Sequence, residues 1–230
     1  MVKEIIKKLP FIGPVAGKIF RRLKGDRPIQ PSGEFWEERY KNGGTSGAGS
    51  YNHFAEFKGE IINKFVSENS IETVIEFGCG DGNQLKYFQF PSYIGYDVSK
   101  SVISICTEMF KNDSSKQFRL MNSFGGERAD LTLSLDVIFH LIEEEVYLDY
   151  MEKLFFSSNK FVIVYSSNSG EDETPPEALH IKHRRFTDWV DSYATEFKMI
   201  KHIPNRYPFD GDGTLTTCSD FNILQKIYKR

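Results

Sequence analysis

The heptad Glu76-Phe77-Gly78-Cys79-Gly80-Asp81-Gly82 constrains this 230-residue chain more than any other stretch. Residues 71–77 before and within it form an apolar, β-branched run that reads as a strand, and a segment able to open a helix begins at Asn83. A strand feeding a glycine turn and then a helix N-terminus brings backbone N–H groups against a bound ligand. The spacing selects among ligands. A dinucleotide fingerprint requires a third glycine where Asn83 stands, whereas here the glycines fall at 78, 80 and 82. Glu76, at the strand end, offers a carboxylate to an ammonium group, which a pyrophosphate lacks. A tight turn that binds nothing is the competing reading of the same residues.

Beyond the turn, strands are predicted at 72–77, 92–97, 117–121, 130–135 and 160–166, and helices near 83–88, 99–111, 143–156 and 184–196. Segments 197–203 and 221–228 are expected to pair antiparallel at a sheet edge. The alternation predicts an α/β fold: a Rossmann-like, doubly wound, mostly parallel seven-stranded sheet with helices on both faces. Right-handed crossovers then put the ligand crevice at the carboxyl ends of the strands. Asp97 and Val98 close the second strand, 21 residues after Glu76. A carboxylate there accepts the ribose hydroxyls of an adenosine group, or alternatively caps the helix that follows.

Three further units flank this core. Residues 1–24 carry seven Lys/Arg and one acid, with apolar residues at helical spacing. They predict a basic amphipathic helical extension that lies on an anionic membrane surface or packs on the domain. Residues 25–33 read as a linker, and 34–230 as the domain. Within it, the glycine-rich 42–51 suits a loop that closes over a ligand or a plain connector. Residues 168–178 are acidic and proline-bearing and predict an exposed insertion. The net charge of −3 argues against nucleic-acid binding. Three cysteines without zinc spacing predict reduced thiols, hence a cytoplasmic setting, with a peripheral place at the membrane's inner face.

The run Glu76 to Gly82 resembles the first motif of class I S-adenosylmethionine-dependent methyltransferases, and the resemblance extends over about 71–166. It implies S-adenosylmethionine as cofactor, held by Glu76, Gly78, Cys79, Gly80, Gly82, Asn83, Asp97 and Val98. Asn122 and Ser123 would lie near the adenine, although Asn departs from the commoner Asp. Ser134, Leu135 and Asp136 would line the methionine end. The stretches Trp36-Glu37-Glu38-Arg39-Tyr40, Gly47-Ala48-Gly49-Ser50-Tyr51, Ser134 to Leu141 and His183 to Trp189 are similar to methyltransferases encoded with surface-polysaccharide and other glycan assembly enzymes. That implies a sugar or glycan-linked hydroxyl acceptor, possible lipid linkage included, and a base to take its proton. His140, at the exit of the fourth strand, and His180 and His183 are the candidates. His140 can instead cap the next helix, and the other two can open a solvated basic helix. Too few oxygen ligands gather at the strand ends to predict a metal. The alternatives are a non-catalytic membrane-surface module that keeps the fold, and a NAD-dependent oxidoreductase, which Asn83 disfavours.

Overall fold

The computed structural model describes residues 30–170 and 180–227. The extension 1–24, most of the linker and most of the insertion lie outside the described residues. Helix α1 (Ser32–Lys41) starts directly after Pro31, so the last two residues of the expected linker are helical. Helix α2 (Asn52–Glu68) leads into β1 (Thr73–Phe77). Then follow β2 (Ser92–Asp97), α3 (Lys100–Met109), β3 (Lys116–Leu120), β4 (Ala129–Leu135), α4 (Glu144–Phe156) and β5 (Ser158–Ser166). Helix α5 (Phe186–Tyr193) and strands β6 (Phe197–Ile203) and β7 (Asp220–Lys226) complete the chain.

The seven strands form one sheet in the order β3-β2-β1-β4-β5-β7-β6. Strands β1 to β5 are parallel, and β7 runs antiparallel between β5 and β6. Strand β5 shows why the sheet is covered twice. Phe161, Ile163 and Tyr165 enter one core cluster with Phe57, Ile62 and Phe65 of α2. Val162 and Val164, pointing the other way, join Met151 and Leu154 of α4 and Phe186 and Trp189 of α5. Order reverses between β1 and β4, which opens a crevice at their carboxyl ends.

One expected element differs. The helix near 83–88 is a single 3-10 turn, Gln84–Tyr87. Asn63 of α2 clamps its end, donating to the Tyr87 carbonyl at 2.8 Å and accepting from the Gln89 N–H at 2.8 Å. The chain then extends to bury Phe88 and Phe90, and Pro91 follows. Burial of those two rings overrides the helical reading.

Candidate functional site

Gly78, Gly80 and Gly82 all adopt positive φ, at 78°, 57° and 72°. The first two also lack room. A Cβ on Gly78 would lie 2.6 Å from a Val137 methyl, and one on Gly80 would lie 2.4 Å from Ser46 Oγ. The turn is tied to β2: the N–H groups of Gly78 and Cys79 both donate to the Tyr96 carbonyl, and Gly80 N–H donates to Asp97 Oδ2 at 3.0 Å. Its other face is closed by the loop that precedes α2. Asp81 Oδ2 accepts from Ser46 N–H and from the Tyr51 hydroxyl, both at 2.8 Å, and Asp81 N–H donates to Ser46 Oγ. The glycine-rich loop is thus a cover seated on the turn.

Between turn, cover and strand ends lies a cavity of about 270 Å³. Of the residues expected at a site, Gly78, Cys79, Gly80, Asp97, Val98, Leu135, Asp136 and His140 line it. The others do not. Glu76 is fully buried behind it, its carboxylate accepting from the Tyr93 hydroxyl at 2.5 Å and from Gln84 Nε2 at 3.2 Å. Gly82 packs on Cys106 and Phe110. Asn83 Nδ2 donates to the Ser50 carbonyl, so it anchors the cover. Asn122 and Ser123 are exposed on the turn after β3, where Met121 faces the cavity in their place. Ser134 Oγ lies buried against the Tyr150 hydroxyl at 2.7 Å. His183 is buried and bonded to Ser167 Oγ at 2.5 Å, while His180 stacks outside the lining, on His140 and Phe35.

Other lining residues went unread in the sequence. Trp36 and Tyr40 of α1 roof the cavity, and Gln84 and Tyr150 wall it. For α1 the signal was its aromatic stretch; for Gln84 there was none, because its role depends on the buried Glu76. Helix α1 is held down by Glu37, which accepts from Ser99 Oγ, Ser101 Oγ and Ser101 N–H. Ser32 donates through both N–H and Oγ to Glu143, closing the other end.

Burial sets the charge states. It raises Glu76 to about 7, against the lowering effect of its Tyr93 hydrogen bond. It raises Asp97 to about 6, although the Ser99 and Gly80 N–H groups favour its charge. His140 is lowered to about 4 by burial. Asp136 sits at φ 60° and accepts from Lys58 Nζ and Ser219 Oγ, both at 2.8 Å. Among the described residues no group of three or more His, Cys, Asp or Glu gathers to hold a metal ion.

Residues 75–163 match the family described as "Methyltransferase domain". No curated protein matches the chain. Among solved structures, it is similar to a SAM-dependent methyltransferase from Anabaena variabilis at 14% identity and a TM-score of 0.58, over 84% of this chain and 92% of that one. It also resembles the magnesium protoporphyrin IX methyltransferase of Synechocystis with bound SAH, at 13% identity and TM-score 0.55, over 97% and 99% of the two chains. A third is the N-methyltransferase NodS of Bradyrhizobium japonicum, at 11% identity and TM-score 0.58, over 75% and 94%. The fold is that of class I methyltransferases, and the domain match supports S-adenosylmethionine-dependent methyl transfer with that cofactor. The cavity fits it. Gln84 Oε1, in its wall, is buried with no hydrogen-bond partner, while Nε2 faces Glu76, whose ionised carboxylate can only accept. An acceptor so placed suits the methionine ammonium, Asp97 suits the ribose hydroxyls, and the Gly78 and Gly80 turn leaves backbone bare for close approach.

Proposed function

We propose that this protein methylates a hydroxyl of a sugar or glycan-linked acceptor, and the observation that carries the reading is the state of His140. Its Nδ1 lies 3.3 Å from the His180 carbonyl, which can only accept, so Nδ1 holds the proton and Nε2 presents a lone pair. Burial keeps the ring neutral down to about pH 4. A neutral imidazole lining the cavity has a lone pair able to accept the proton that a hydroxyl acceptor loses as the new bond forms. Trp36, edge-on to His140 with ring centroids 4.9 Å apart, adds an apolar wall that suits the C–H face of a sugar ring.

S-adenosylmethionine supplies the electrophilic methyl group. Bound in the cavity, it would give up that methyl group to the acceptor oxygen and keep the carbon–sulfur electron pair as the neutral thioether. His140 Nε2 takes the hydroxyl proton and returns it to solvent. Gln84 and Asp97 hold and orient, while α1 and the 42–51 cover exclude water. The test is transfer of a labelled methyl group to a panel of saccharides, nucleotide sugars and lipid-linked glycans. Transfer to a saccharide hydroxyl is expected, with His140→Gln slower by about 10²- to 10⁴-fold. Transfer only to amines or carboxylates, or a His140→Gln enzyme at the parental rate, overturns the reading.

Residues 1–24, at net +6, fit the same reading by holding the protein to anionic membrane where lipid-linked acceptors lie. Full-length protein is expected to sediment with anionic but not neutral vesicles. Changing Lys7, Lys8, Arg21 and Arg22 to Glu should release it, and sedimentation unchanged by those substitutions removes the idea.

A further inference from the structure

Arg39 is a guanidinium held in place with no carboxylate to satisfy it among the described residues. Its Nε donates to the Thr45 carbonyl at 2.5 Å, and its Cζ lies 5.6 Å from the centroid of the Trp36 ring. Gly44 clears the path of the side chain, since a Cβ there would stand 2.7 Å from Arg39 Cγ. Arg119, Arg184 and Arg206 each meet a glutamate, whereas among the described residues no ion pair is formed by Arg39, Arg128 or Arg185, and of these three Arg39 stands next to the cavity lining through Trp36. The same Trp36 ring meets His140, with centroids 4.9 Å apart, and His140 stacks on His180, with centroids 5.7 Å apart and planes 10° from parallel. The charge of Arg39 reaches both rings. Among the described residues Asp136 is an opposing charge that reaches His140, and it is already bonded to Lys58 and Ser219. Trp36 and His140 line the cavity, so this electropositive rim adjoins its acceptor side.

We propose that Arg39 and His180 form an oxyanion subsite at the cavity rim, and that the acceptor carries a phosphate or carboxylate group near the hydroxyl to be methylated. The proposal rests on the methyltransferase reading and names its acceptor more closely. A planar guanidinium whose Nη groups meet no carboxylate among the described residues can take such a group through two parallel N–H···O bonds. An adjacent imidazole adds a third donor on protonation. The local design agrees: a side chain kept only to clasp the Thr45 carbonyl needs no unpaired charge beside two histidines.

The experiment is a titration of full-length protein, saturated with S-adenosylhomocysteine, with pyrophosphate in one arm and D-glucuronate in the other. Binding is read from the side-chain nitrogen resonances of His140 and His180, assigned through His140→Gln and His180→Gln. Saturable binding tighter than about 10 mM is expected, with the His180 resonance moving toward the imidazolium position. Arg39→Gln should weaken it at least about tenfold, and Arg39→Lys less, because the charge remains. Saturation by pyrophosphate alone identifies a phosphate-bearing acceptor, and by glucuronate alone a uronic-type carboxylate. If Arg39→Gln does not fold, His180→Ala carries the same expectation. No saturation by either anion, or saturation unchanged in the Arg39 and His180 variants, overturns the subsite. Failure to bind S-adenosylhomocysteine is seen separately in the same samples and counts against the cofactor instead.

Discussion

The ammonium of Lys58 lies 2.8 Å from Asp136 Oδ2, and no part of the lysine side chain reaches solvent. Lys58 comes from the middle of α2 and Asp136 from the exit of β4. The pair therefore joins the helix ahead of the glycine turn to the floor of the cavity. Ser219 Oγ holds the second carboxylate oxygen, and the lysine also sits over the Tyr165 ring with Nζ 5.2 Å from its centroid. Asp136 occupies left-handed backbone, a conformation that Asp tolerates better than most residues but that its surroundings must enforce.

Removing Lys58 alone should be severe. Lys58→Met leaves a mostly buried carboxylate without its cation, at a cost of roughly 3–5 kcal/mol. Lys58→Met with Asp136→Asn removes both charges and keeps a residue suited to left-handed backbone, so more than half of that loss should return. Urea unfolding of the three proteins measures it. A single-variant loss below about 1 kcal/mol is the value of an exposed pair and contradicts the burial.

Gly80→Ala meets two obstacles, a φ of 57° and Ser46 Oγ at 2.4 Å from the new Cβ. The cover must lift off the turn, so affinity for S-adenosylhomocysteine should fall at least about tenfold by calorimetry. Ser46→Gly removes the clash, and in combination with Gly80→Ala it should restore most of the affinity. The remaining deficit is the backbone term, about 1–2 kcal/mol. Equal affinity in Gly80→Ala and parent means that the cover does not press on the turn.

Asp97 gives one oxygen to Gly80 N–H and the other to Ser99 N–H, and a carboxylate so engaged retains acceptor capacity for a hydroxyl. Asp97→Ala should weaken S-adenosylmethionine binding by about 1–3 kcal/mol. Asp97→Asn should fall between parent and Ala, because one acceptor oxygen survives. Affinity equal to the parent in both variants takes the ribose role away from this residue.

What could be read in the sequence was local. β-branched runs, glycine punctuation and the carboxylate at the end of the second strand predict the strands, a mostly parallel sheet and one wall of the cavity, since each signal lies within a few consecutive residues. The partners that close the site come from far away along the chain. Lys58 finds Asp136 across 78 residues, and Ser46 finds Asp81 across 35. Gln84 faces the cavity because Asn63 and the buried Phe88 and Phe90 stop a helix from forming there. His183 shows the reverse. A histidine in a basic run reads as a solvated or catalytic group, yet the fold buries it against Ser167.

Glu76 gives a prediction whose sign is fixed by burial. Its folded value of about 7 lies above the 4.5 of an ordinary glutamate, so the folded protein binds this proton more tightly than the unfolded chain does. The stability it contributes is therefore full below about pH 4.5 and lost as pH rises through 7. His140 works in the opposite sense, since its lowered value removes stability as pH falls from 6.5 toward 4, so the parent's melting curve mixes the two. Glu76→Gln separates them, because it deletes one titration and keeps the other. Parent stability minus variant stability should fall by roughly 2–3 kcal/mol between pH 5 and pH 8, measured by urea unfolding. A difference that does not change with pH would mean that Glu76 titrates in the folded protein as it does in the open chain. Gln84 would then face a carboxylate that is ionised throughout the neutral range and can only accept, which fixes Nε2 toward Glu76 and Oε1 toward the cavity.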